Sequence, residues 1–202
     1  MKDGQECIYY ACGDSYEAIK KLPQVEKVVG KGFEILYFKD SVDEFVTKVL
    51  DEYDGKKFKN VAGGDLDLAT EEEKKQFEEK KADFNETAEY IKNKLDGRVV
   101  AVKFTDELKS SAVCMSYEGE VSLEMEKVFK SMKTASPMPV EAKKVLEINI
   151  NHQIASKLKD AYENDKDKLD KYAEILFVEA LMLAGFEPED VNQFTTLINS
   201  LL

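Results

Sequence analysis

The sequence predicts an α+β fold. A small α/β/α layer on a short parallel sheet is followed by a mixed domain with a three-stranded sheet, whose last helices form a dimerising helical bundle. Three observations predict it. Strand and helix signals alternate between Cys7 and Val61, the composition turns strongly charged after Gly63-Gly64, and the tail from Ile175 onward is apolar at helical spacing.

Cys7 to Ala11 (CIYYA) is a short apolar run bounded by charge and by Gly13, as a buried strand is. Asp14 and Glu17 form a capping pair for the helix that follows, which Pro23 ends. Val25 to Gly30 is a second short helix, and Phe33 to Phe38 (FEILYF) is the next buried strand. Ser41 and Glu44 make the capping box of a helix reaching Tyr53, with Val42, Val46, Val49, Leu50 and Tyr53 as its buried stripe. Asp54-Gly55 is a turn, and Phe58 to Val61 a third strand. Strands alternating with helices in this way predict a parallel sheet with helical crossovers.

Thr70 and Glu73 form a further capping box, opening a helix that extends to Leu95. Its first part carries a charge run, read as a solvated face; its second part is apolar enough to pack. The domain boundary therefore falls between residues 82 and 83. Arg98 to Phe104 and Ser111 to Tyr117 are strands paired antiparallel across a polar loop. Val121 to Met132 is an amphipathic helix ended by Pro137 and Pro139, and Val145 to Ile148 is a third strand. Three helices follow: His152 to Asn164, Lys168 to Ala184, and Glu189 to the end, the last two separated by Gly185 and Pro188.

Between Ile175 and Ala184 only Glu179 is charged, so this helix needs cover on every side. The final helix adds an apolar face, and a charged chain of this size has little left to cover it. A second copy is the natural cover, and a bundle interface of this kind resembles a core cut in half. The expected interface residues are Ile175, Leu176, Leu183, Phe194, Leu197, Ile198 and Leu201.

Composition bounds the function. The 202 residues are 43% hydrophobic and 35% charged, with a net charge of −12. That charge argues against nucleic acid and anionic membranes as partners. No apolar run approaches the roughly 18 residues of a spanning helix, and MKDGQECIYY lacks a signal-peptide profile. Three cysteines without framework spacing suit a reducing cytoplasm. Cys7 and Cys12 point to opposite faces of their strand, and Cys114 sits in an apolar one. A single histidine, His152, placed at a helix start, leaves no two-histidine metal site, and no phosphate-binding glycine loop is present. No catalytic, cofactor-binding or metal-binding residue is assigned.

GFEILYFKDSVDEF, DEYDGKKF, LDL with EEEKKQFEEKKADF, and AKKVLEIN follow one another in an order and spacing that closely resembles the HtpG/heat shock protein 90 family of ATP-dependent molecular chaperones. The resemblance spans the chain. It implies the end of the family's middle domain over residues 1–82 and its C-terminal dimerisation domain over 83–202. It also implies that the ATP-binding domain, with its magnesium, lies outside this stretch, so no cofactor is expected here. The expected partners are a second copy and unfolded or partly folded client proteins, in the cytoplasm. Ile150-Asn151 stands where many relatives carry Pro-Asp, and the chain ends in SLL without the acidic pentapeptide that recruits repeat-helix co-chaperones, so those are not expected.

Two candidate client surfaces follow from the resemblance. One is the helix bearing Val121, Met125, Val128 and Phe129, whose methionine suits varied surfaces. The other is the rim of the helix after FEILYF, at Glu44, Phe45 and Lys48; many bacterial relatives carry tryptophan at the Phe45 position. Two other readings compete: a plain oligomerisation module, favoured if Met125 and Phe129 are sealed in the core, and an α/β enzyme domain. The enzyme reading would use Asp14, Ser15, Asp40 and Ser41, which are better explained as helix caps.

Overall fold

The structure, a computed structural model, describes residues 1–40, 42–64, 66, 68–132 and 140–201. Its elements are mixed α and β, as the sequence predicts. They group into two compact units: Met1–Leu68 with Ser116–Lys143, and Ala69–Met115 with Lys144–Leu202. This grouping does not follow the single cut expected between residues 82 and 83. Strands β6 (Val113–Glu118) and β7 (Lys143–Asn149) carry the chain between the units, so the helix between them groups with the N-terminal elements.

In the first unit a four-stranded sheet has the order β2-β1-β4-β3. Strand β1 (Ile8–Cys12) is central and parallel both to β2 (Ile35–Phe38), with Tyr9 opposite Ile35, and to β4 (Lys56–Asn60), with Ile8 opposite Phe58. The parallel sheet is as expected. An added short strand, β3 (Glu52–Tyr53), pairs antiparallel with β4 through Asp54-Gly55, both at positive φ. Helix α1 (Tyr16–Lys20) is capped by Ser15, whose side chain accepts from the Ala18 N–H, and not by Asp14 as the spacing suggested. Pro23 opens α2 (Pro23–Gly30) at its first turn, where a missing N–H costs nothing. Tyr9, Ala11, Ile19, Val25, Val28, Val61 and Leu66 form the core against α1 and α2.

Helix α3 (Asp43–Leu50) stops three residues short of the expected Tyr53, because Asp51 turns at φ 52° into β3. Its capping-box partner Ser41 lies outside the described residues, and Glu44 is engaged elsewhere. Helix α6 (Leu123–Ser131) is capped by Ser122, which accepts from the Met125 N–H at 3.1 Å. Pro137 and Pro139, expected to end it, lie outside the described residues.

The second unit opens with α4 (Glu71–Lys81), where the Thr70–Glu73 capping box forms in both directions. None of its residues is buried, as the charge run implied. A 3-10 turn at Ala82–Phe84 breaks the long helix before α5 (Asn85–Lys94). Strand β5 (Ala101–Thr105) does not pair with β6. The order is β5-β7-β6, and β5 runs parallel to β7 with Val102 opposite Leu146. A parallel pair needs a crossover, and the chain from β6 through α6 supplies it.

Helices α7 (Gln153–Asn164) and α8 (Lys166–Leu183) pack on α5. Polar contacts at one constant sequence offset join them: Asp83–Lys159, Glu86–Tyr162, Lys94–Asp170 and Arg98–Glu174. Beneath them Ile91, Leu95, Leu158, Leu169 and Ala173 are fully buried. His152 caps α7 by accepting the Ile154 N–H on Nδ1 at 3.2 Å, the structural role expected of it. Gly185, at φ 82°, ends α8: its N–H bonds to the Met182 carbonyl and that of Phe186 to the Leu181 carbonyl. Helix α9 (Val191–Asn199) follows, capped by Asp190.

Candidate functional site

Helix α3 is inverted relative to its apolar pattern. The expected buried stripe is exposed: Val42 at 61%, Val49 at 88%, with Val46, Leu50 and Tyr53 also open to solvent. The buried residues are polar. Thr47 donates its hydroxyl to the Glu44 carbonyl, and the Glu44 side chain is 0% exposed. Asn60, at the end of β4, explains this: its Nδ2 donates to both Glu44 carboxylate oxygens, at 3.3 and 3.1 Å. Its Oδ1 in turn accepts the Ala62 N–H at 2.8 Å. A buried carboxylate is tolerated when hydrogen-bonded in this way. Glu44 is therefore sealed and cannot meet a ligand at the surface, contrary to expectation. Phe45 is half-buried and Lys48 exposed.

Helix α6 presents the other candidate. Val121, Met125 and Val128 are half-buried, while Phe129 and Met132 are exposed, at 36% and 54%. Phe129 is thus not sealed in the core. Its buried side carries Leu123 and Glu126; the latter accepts the Ala142 N–H at 2.8 Å and a bond from Lys130 Nζ at 2.7 Å. The structure joins the two candidates into one surface, because α3 packs on α6 and the Phe45 and Phe129 rings meet edge to face at 5.8 Å. Around that pair lie the exposed valines of α3, which the sequence assigned to the core. The available signal was crowding: a short helix carrying so many apolar residues has more apolar surface than one core contact covers.

In the second unit the tail is only half covered. One face of α8 is buried through Leu169, Ala173, Leu176, Phe177 and Ala180. Leu176, at 3% exposure, is already filled by its own unit and drops out of the expected interface. Ile175 is half-buried and Leu183 exposed, beside exposed Met182. Helix α9 packs on α8, yet none of its residues is buried: Phe194, Leu197, Ile198 and the following Leu201 remain half-covered and Val191 exposed. Leu202 lies outside the described residues.

The electrostatics of the first unit centre on Glu44. Burial, and then the Glu44 charge, push the Tyr10 hydroxyl up to about 12 and raise the Cys12 thiol and the Tyr117 hydroxyl further. Glu124 is also raised, by burial first, with Asp14 and Glu44 adding to it and Lys127 opposing. All three cysteines are free thiols, with Cys12 and Cys114 buried; Cys114 donates to Glu147 at 3.6 Å. Among the described residues no cluster of three or more His, Cys, Asp or Glu could hold a metal, and no helix is long and apolar enough to cross a membrane.

Comparison with known proteins adds the family. A profile described as Hsp90 protein matches residues 1–202. The chaperone protein HtpG of Bacillus subtilis (strain 168) is 45% identical over 198 residues, covering 98% of this chain and 31% of the relative. That of Clostridium acetobutylicum is 48% identical over 204 residues, covering 100% of this chain and 32% of the relative. HtpG of Clostridium perfringens (strain ATCC 13124) is similar to the same degree, at 47%. The chain spans about a third of the length of the curated relatives it matches.

Proposed function

This chain belongs to the Hsp90 protein family, and we propose that it serves an HtpG-type chaperone as a dimerising stretch that holds unfolded client segments. One observation carries the reading: the Phe45–Phe129 contact, which joins α3 and α6 into one apolar surface left open to solvent. Large exposed apolar surface on a soluble protein marks an interaction site. Valine, phenylalanine and methionine side chains can adapt to many sequences without demanding one.

Dimerisation rests on the tail. Half-covered α8 and α9 resemble one side of a helical bundle, and we assign the interface to Ile175, Leu183, Phe194, Leu197, Ile198 and Leu201. Two such copies would set their client surfaces around a shared cleft. In this proposal residues 1–82 belong to the chaperone's middle domain and 83–202 to its C-terminal domain. The reading places it in the cytoplasm and assigns ATP turnover to parts of the family outside these 202 residues.

The test is direct. The 202-residue chain should run as a dimer by light scattering at micromolar concentration. It should also slow the aggregation of a chemically unfolded protein equally with and without ATP. Phe129→Ala should weaken that protection while leaving the dimer intact. A stable monomer refutes the dimer reading, and full protection by the Phe129→Ala variant refutes the client reading.

A further inference from the structure

The first unit contains an open cavity of about 480 Å³ at the C-terminal end of α3, one helical turn on from Phe45. Tyr10, Asn60 and Tyr117 form its floor and Phe58 one wall. Its rim carries Asp51, Glu118 and Glu120 together with Lys48 and Lys59. Resting on the client-holding reading, we propose that this cavity receives a cationic side chain, arginine or lysine, of the unfolded segment whose apolar residues lie on α3 and α6.

Charge points that way. The lining carries three carboxylates against two ammonium groups, a formal balance of −1, and the buried Glu44 carboxylate, bonded to Asn60 outside the lining, adds to the negative potential. Among the described residues Glu44 is met by Asn60 and not by a cation. Its buried charge reaches the floor, where it adds to burial in raising the Tyr10 and Tyr117 hydroxyls.

The aromatic lining agrees, because ring faces attract cations within roughly 6 Å. A resident cation already marks the position: Lys48 Nζ stands 6.0 Å from the Tyr117 ring centroid, at the outer edge of such contact. Lys48 is exposed and, among the described residues, bound to nothing stronger, so an arriving guanidinium can displace it outward. Gly63 leaves the wall beside Tyr117 without a side chain; a Cβ there would stand 3.2 Å from the Asn60 carbonyl. The net charge of −12 draws basic segments toward the chain in the first place.

Two fluorescent, unstructured peptides test the assignment, sharing one apolar sequence and differing by arginine or citrulline at one position. Titrated with the 202-residue chain and followed by anisotropy, the arginine peptide should bind about fivefold tighter, the size of one partly desolvated cation–aromatic contact. Combining Asp51→Asn, Glu118→Gln and Glu120→Gln should bring that ratio to about one; these positions are exposed, and asparagine accepts the positive φ at 51. Phe129→Ala should weaken both peptides alike. Equal binding of the two peptides to the parent, or tighter binding of a glutamate counterpart, overturns the cationic pocket and leaves the client reading standing. If neither peptide binds, the client reading fails and the pocket falls with it.

Discussion

Glu126 offers the sharpest test of how α6 is held. Its side chain is fully buried on an otherwise amphipathic helix and accepts the Ala142 N–H at 2.8 Å and Lys130 Nζ at 2.7 Å. Glu126→Ala would orphan the Ala142 amide in a place water does not reach, at a cost of about 2 kcal/mol. The Lys130 pair adds little, because the lysine side chain is 56% exposed and simply returns to water. Glu126→Gln keeps an acceptor for the amide and should cost about 1 kcal/mol, the charge-assisted part of the bond. Two units need not unfold in one transition, so the readout should be local. Amide exchange at Ala142 and along α6 should accelerate roughly thirtyfold in the alanine variant, as about 2 kcal/mol implies, and clearly less in the glutamine variant. Urea unfolding followed by the nine tyrosines gives the global value. Unchanged exchange at Ala142 in Glu126→Ala would refute this role for the Glu126 carboxylate.

The other predictions concern the tail and pH. Phe194→Ala should loosen the dimer by about 2 kcal/mol, roughly thirtyfold in dissociation constant, without unfolding either unit; ultracentrifugation at several concentrations measures it, and an unchanged constant counts against a central role for Phe194. Leu176→Ala, by contrast, should lower protomer stability by about 3 kcal/mol, because this side chain is buried within its own unit. Glu124 is raised above its ordinary 4.5 by burial, with Asp14 and Glu44 adding and Lys127 opposing. A carboxyl with a raised folded pKa is penalised when ionised. Its burden is absent below about pH 4.5, grows as pH rises, and is complete above the folded pKa. Glu124→Gln should therefore flatten the fall in stability from that pH toward neutrality, and a urea series across pH that matches the parent would contradict this.

Much of the first unit was legible because β1 and β2 are short, apolar and flanked by turns or caps. Ser15, one of the residues better explained as helix caps, does cap α1, and in the second unit the Thr70–Glu73 box forms where its spacing predicts. What failed was partnership at a distance. Nothing near Arg98 announces that β7, some forty residues on, inserts between β5 and β6, and local pairing was the wrong default. The parallel β5–β7 register is fixed by residues on the far side of α6, and a pattern read in sequence order cannot reach it.

The inversion of α3 has the same origin and bears more on function. A helical wheel sees Val42, Val46 and Val49 as a core stripe because burial is the usual destination of such a stripe. Asn60 decides otherwise, by providing Glu44 with two hydrogen bonds that solvent would otherwise have to supply. Once Glu44 and Thr47 are satisfied inside, the valines are what remains to face outward, beside Phe45 and Phe129. A polar anchor that turns an apolar face to water is hard to explain by protomer stability alone, since reversing the helix would bury more hydrocarbon. The arrangement becomes intelligible if that face is covered part of the time by another chain. The same reasoning applies to α8 and α9, where Leu176 faces inward while Leu183 and Val191 stay open. The two surfaces differ in what they can accept. In the proposed reading the tail would offer regularly spaced leucine, isoleucine and phenylalanine to an identical partner, whereas α3 and α6 would offer valine, methionine and aromatic edges beside a charged cavity, a combination suited to partners of no fixed sequence.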